Sequence, residues 1–315
     1  MHSGNASIIP VFVPSEYAAL KRVVMCLANP MSVFSFLRQG GFDAATLYQL
    51  WHNRWALRHD YRRVRQQQRA FINVLEANGV QVLYAEALPG SLTQHYTRDI
   101  GFAIDDTFFC ANPRRRQRQQ ERAGLRNLLP RFSRVAHLES GSIEGGDVLV
   151  DEQHVIIGLG EETNPEGIHC LKRKLKELRL DREIVTVEFS HRGIIHLDTK
   201  FNLASKGIGL IHPKSFTPRS LKWLEKQYDL IEVSDDEAAN VEINAFALSP
   251  QKVILRERSH RLASILETKG IQPVLIDYSE VTKLPGSFRC TTLPIEREQR
   301  ARVDPRRGGM PDGAV

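Results

Sequence analysis

The stretch VLEANGVQVLY (74–84) decides the fold: a helix end, a glycine turn and a strand follow one another without interruption. ILETKGIQPVLI (265–276) repeats that design, and WLEKQYDLIEV (223–233) is a looser copy without the glycine. Outward from these, GFAIDDTFFCAN (101–112), VLVDEQHVIIGLG (148–160) and NAFALSPQKVIL (244–255) each read as strand, polar turn, strand. Helices are expected over 61–78, where Phe71, Val74 and Leu75 fall at helical spacing, through HCLKRKLKEL (169–178) and at SLKWLEKQ (220–227). KRVVMCL (21–27), EIVTVEF (183–189) and PVLID (273–277) read as strands. Several copies of one ββαβ-type unit make a modular α/β fold.

Composition sets the frame. The chain has 315 residues, 42% hydrophobic and 25% charged, the balance of a soluble globular protein. No apolar run is long enough to cross a bilayer, and the start, MHSGNASIIPVFVPSEY, lacks the charged and apolar regions of a secretory signal. Cys26, Cys110, Cys170 and Cys290 lie far apart with no CxxC spacing, which argues against a zinc site or a disulfide framework and for a reducing cytoplasm. The net charge is +6, concentrated in YRRVRQQQR (61–69), NPRRRQRQQER (112–122) and the tail. The first two clusters read as solvated helix faces with few aromatics to stack on bases, so nucleic acid is not the expected partner. A single domain is expected over residues 1–295, followed by a basic tail, 296–315, rich in Arg, Pro and Gly.

Four short motifs carry chemistry. Cys290 in PGSFRCTTLPIE sits on a loop entering a strand, an exposed setting, although a buried small hydrophobe is the commoner fate of such a cysteine. In GIIHLDTKFN, alternation puts His196 and Asp198 on one strand face with Leu197 behind. In GSIEGGDVLV, two glycines between Glu144 and Asp147 allow close approach of a ligand. TRDIGF offers Arg98 and Asp99 ahead of another strand.

In this order, TRDIGF, IEGGDVLV, HLDTKFN and a late cysteine resemble the guanidine-modifying superfamily of arginine deiminases, dimethylarginine dimethylaminohydrolases, agmatine deiminases and glycine amidinotransferases. SEYAALKRVVM and GLGEETN add to the resemblance, which spans about residues 15–295. It implies a five-bladed pseudo-symmetric α/β propeller with the site on its axis, acting on a small guanidino substrate without metal or organic cofactor. A homodimer is compatible with it.

The roles carried over are specific. Asp99 and Asp198 would grip the planar guanidinium, whose N–H fork matches carboxylates. Cys290 as thiolate would attack its carbon, and His196, steered by Glu144, would shuttle protons. Asp147 would also lie at the substrate. Glu144-Gly145-Gly146 resembles the hydrolases and deiminases more than the amidinotransferases, so a hydrolase is expected. An amidinotransferase and a silent basic binding module are the alternatives. Arg118, with Arg115 and Arg116 as competing alignments, matches one arginine that holds a substrate carboxylate in arginine-using relatives. At the place of the second stands Glu162, so a guanidino compound with an amine or hydroxyl at that end is expected to suit better than arginine.

Overall fold

The computed structural model describes residues 7–29, 60–89, 91, 93–284 and 286–299. In chain order these hold β1 (Leu20–Met25), α1 (Tyr61–Ala77), β2 (Gln81–Tyr84), β3 (Gly101–Ile104), β4 (Thr107–Cys110), α2 (Arg116–Glu121) and β5 (Val135–His137). Next come β6 (Val148–Val150), β7 (His154–Leu159), α3 (Pro165–Leu178), β8 (Glu183–Glu188), β9 (Phe201–Ser205), β10 (Ile208–Ile211), α4 (Pro218–Gln227) and β11 (Asp229–Glu232). The chain ends on α5 (Asp235–Ala239), β12 (Phe246–Ser249), β13 (Lys252–Arg256), α6 (His260–Thr268), β14 (Gln272–Ile276) and β15 (Leu293–Arg297).

Among the described residues the strands form five three-stranded sheets built to one plan. A strand pairs antiparallel with the next, which pairs parallel with a third reached through a helix. One sheet draws its antiparallel strand from the far end of the chain: β15 lies against β1, and β1 runs parallel to β2. The parallel step needs a crossover, which explains why each repeated segment is helix then strand.

Local chemistry makes the repeats. The Asp60 carboxylate accepts from the N–H groups of Arg62 and Arg63 to start α1, and Val64, Phe71, Ile72 and Leu75 form its buried stripe. Gly79 and Gly270, at φ +78° and +75°, end the two matching helix–strand segments in the left-handed region that glycine enters freely. The expected hairpins at 101–112, 148–160 and 244–255 are present. The expected tail boundary at 296 is too early, because β15 runs to Arg297, whose buried guanidinium donates to the carbonyls of Ala18 and Ala247. Residues 300–315 lie outside the described residues. No described helix is long and apolar enough to cross a membrane.

The first strand of each unit is entered through a turn, and these turns meet. The Arg98 N–H donates to the Cys290 carbonyl, and a Cβ on Gly145 would lie 2.1 Å from the Arg98 carbonyl. Leu197 N–H donates to Asp147, Asn244 donates to the Asp198 carbonyl, and Cys290 N–H donates to Asn244. Each turn thus touches the next, and the last touches the first.

Candidate active site

Cys290 lies in the turn before β15, 3% exposed, with its Sγ 3.7 and 3.9 Å from the two carboxylate oxygens of Asp198. Burial, then the charges of Asp198 and Asp99, push its thiol well above the ordinary value. At neutral pH this favours the thiol; burial is the larger cause, and a cation beside Asp198 and Asp99 would offset only the carboxylates' share.

His196 stands between two acids. Its Nε2 is 3.1 Å from Glu144 Oε2 and its Nδ1 is 3.6 Å from Asp99 Oδ1. Burial opposes the charged ring, but Asp99, the Glu144 hydrogen bond and Asp147 outweigh it and raise its pKa well above the usual histidine range. His196 is therefore an imidazolium with a proton to give. A Cβ on Gly146 would lie 2.6 Å from the His196 ring and 2.8 Å from Asp99 Oδ1, so glycine there lets the ring and both acids close up. Among the described residues these three also place donor atoms within 4.8 Å of one another, as metal ligands would. With the ring protonated, His196 is ion-paired with both acids, while Asp99 Oδ1 and Glu144 Oε1 keep no hydrogen-bond partner among the described residues.

The GIIHLD segment is not a strand, contrary to the alternation in its sequence. His196 is extended at φ −140° and caps a 3₁₀ turn, Leu197–Thr199. Its backbone is satisfied by the turn and by Asp147, which accepts from Leu197 N–H at 2.9 Å. Asp147 Oδ2 meanwhile accepts from the Thr163 hydroxyl at 2.6 Å. Both oxygens of Asp147 thus have hydrogen-bond partners within the chain. Burial pushes its carboxyl up to about 7 against the lowering influence of His196, Thr163 and Leu197.

The two residues assigned to the far end of a substrate are placed differently from expectation. Arg118 is buried, and its terminal nitrogens go to Asp99, Glu121 and the carbonyls of Thr93 and Tyr96. It anchors Asp99 and is not free to clamp a carboxylate. Glu162 is buried but not alone: Arg115 donates to its Oε1 from Nε and Nη2, at 2.9 and 2.5 Å. Arg115, one of the competing alignments, is thus the arginine that pairs with Glu162.

The family model for arginine deiminase matches residues 93–224 and 212–297. The chain belongs to the arginine deiminase family. Membership places it among enzymes that act on guanidino groups. The uncharacterized protein YkgA of Bacillus subtilis is 29% identical over 287 residues, covering 90% of this chain and 94% of that one. The arginine deiminase of Mycobacterium marinum is 27% identical over 252 residues, and the match covers 68% of this chain but only 62% of that enzyme. SxtG, an amidinotransferase of Microseira wollei from saxitoxin biosynthesis, has the same fold, with a TM-score of 0.72 at 18% identity over 92% of this chain and 98% of that chain.

Beyond the motifs through which it resembles the arginine deiminase family, this chain builds its site on residues that sequence reading missed. Arg289 is 1% exposed and bridges two acids, donating to Asp198 at 2.7 Å and to Glu16 at 2.9 Å. Burial opposes ionisation of Glu16, yet Arg289 and Arg98 hold its carboxyl at about 2. An arginine beside the candidate cysteine was the only signal. Removing Arg289 takes the buried Asp198 carboxylate's cation away and leaves Glu16 with Arg98 alone, so Arg289→Met should cost about 3–5 kcal/mol of stability. Urea unfolding checks this, and a loss below about 1 kcal/mol would show that the bridge is not needed.

Proposed function

We propose that the chain is a cofactor-independent cysteine hydrolase of a small guanidino compound, its five sheets arranged as propeller blades around the site. One observation carries this reading. Asp99 Oδ1 and Glu144 Oε1 are buried carboxylate oxygens with no hydrogen-bond partner among the described residues, in a site that also holds Asp198 and Cys290. Buried acceptors of this kind call for N–H donors, and a guanidinium supplies them with a compensating charge.

In this mechanism the bound cation offsets the acids that hold up the Cys290 pKa, and the thiol loses its proton to solvent. The sulfur bonds to the guanidinium carbon. His196 passes its proton to the departing nitrogen, the C–N bond breaks, and ammonia or an alkylamine leaves an amidino-thioether on Cys290. His196, now neutral, takes a proton from water as the oxygen bonds to the same carbon. The C–S bond breaks, the sulfur recovers a proton, and the product is a ureido compound. An amidinotransferase would use the same residues with an acceptor amine in place of water, and the fold shared with SxtG keeps that as the second reading.

The substrate's other end is assigned to the Arg115–Glu162 pair. Arg115 offsets the repulsion that Glu162 alone would exert on a carboxylate, so arginine is not disfavoured as the sequence suggested. Arg115→Ala uncovers the acid. The ratio of kcat/KM for agmatine to that for arginine should then rise about tenfold or more, the value of one charge-assisted contact. An unchanged ratio would remove the pair from the substrate's far end. The reading as a whole is tested by assaying guanidino compounds for ammonia, amine and ureido products. No product from any of them, with Cys290 inert to chloroacetamidine, would leave the silent binding module.

A further inference from the structure

Four of the five turns that enter the units carry the chemistry already described: Asp99, Glu144 with Asp147, His196 with Asp198, and Cys290. The remaining turn, before β12, delivers Asn244, which is 0% exposed. Its side-chain Oδ1 accepts from the N–H groups of Ser287 at 3.0 Å and Cys290 at 3.1 Å. Its Nδ2 donates to the Asp198 carbonyl at 3.2 Å, and its own carbonyl accepts from Arg289 N–H at 3.4 Å. Two N–H donors at one end and a carbonyl at the other fix which end of the amide is oxygen. Asn244 is in turn braced, because Asn202 in β9 donates to the carbonyls on either side of it, Ile243 at 3.0 Å and Ala245 at 2.7 Å.

We propose that Asn244 is a positioning residue that sets the Cys290 thiol against the Asp198 carboxylate, a role that rests on the cysteine chemistry proposed above. The turn bearing the sulfur and the turn bearing the acid come from units far apart in sequence, and one neutral amide is bonded to both. An apolar side chain would leave two N–H groups buried without partners. A carboxylate could still accept from both, but would turn an oxygen toward the Asp198 carbonyl and add a negative charge beside the sulfur.

That contrast supplies the test. Asn244→Asp keeps the shape, and while its carboxyl is protonated its O–H donates to the Asp198 carbonyl as the amide does. Near-normal turnover is expected at acid pH. As the carboxyl ionises, kcat should fall by about 10²-fold, the cost of a displaced reacting group, with a smaller change in KM. Inactivation of Cys290 by chloroacetamidine should slow over the same pH range; the melting temperature falls as the buried carboxyl ionises but stays above the assay temperature, so the loss is read on folded protein. Asn244→Ala should lose kcat at every pH. Should that variant fail to fold, the Asn244→Asp profile decides: a pH dependence parallel to wild type overturns the proposal. Wild-type protein that neither reacts with chloroacetamidine nor turns over any guanidino compound overturns the cysteine chemistry itself, a separately visible outcome.

Discussion

Cys290→Ser should fold like the parent and lose turnover to background. The side chain is buried against Asp198 and its N–H is held by Asn244, contacts that a serine of nearly the same size preserves. Its hydroxyl is a far weaker nucleophile, and the acids that hold up the Cys290 thiol would hold up a hydroxyl as well. The other cysteines give the control. Burial pushes the thiols of Cys26 and Cys110 up to about 12 and about 11, and Cys170 is packed within α3. Serine at any of these three should leave kcat intact and cost about 1 kcal/mol of stability, the usual price of a single substitution. Steady-state assays and unfolding curves on the four variants check the contrast, and activity within tenfold of wild type for Cys290→Ser would dismiss it as the nucleophile.

His196→Ala should slow turnover by about 10²–10⁴-fold, the usual loss on removing a general acid–base group. The pH dependence has a defined sign. Asp99 and Glu144 raise the His196 pKa, so its proton is present at neutral pH and lost as pH rises through that elevated value. The rate should therefore hold through neutrality and fall on the alkaline side. Glu144→Gln removes the 3.1 Å partner and should move that alkaline limb to lower pH. A limb that stays in place in Glu144→Gln would detach it from His196.

The repeated helix–glycine–strand segments and the hairpins were legible because their signals are local: spacing of apolar residues, a left-handed glycine, a polar turn. The motif residues stood out only through their order along the chain, which carries the family resemblance, and the fold brings their turns together. What escaped reading depends on distant partners. Two-residue alternation in GIIHLD suggested a strand, but Asp147, some fifty residues earlier, takes the Leu197 N–H and stabilises a turn. The three arginines of 115–118 look interchangeable in sequence, yet Arg118 faces Asp99 and Glu121 while Arg115 faces Glu162. Arg289 and Glu16 lie at opposite ends of the chain, and neither residue type nor spacing announces that they pair. Asn244 has no motif around it, and its role follows only from which turns the fold brings together.

The adduct's mass tests the central claim most directly. Wild-type protein, or His196→Ala if its adduct persists longer, is mixed with a guanidino substrate, quenched in acid and analysed by intact mass and peptide mapping. The hydrolase mechanism expects the Cys290 peptide to carry the substrate less one molecule of ammonia or alkylamine, because the carbon skeleton stays bonded through the amidino carbon. A bare amidino group on Cys290 would mean that the skeleton left first, as in amidino transfer. An adduct on another residue, or turnover that continues with no adduct and no dependence on Cys290, would contradict the account.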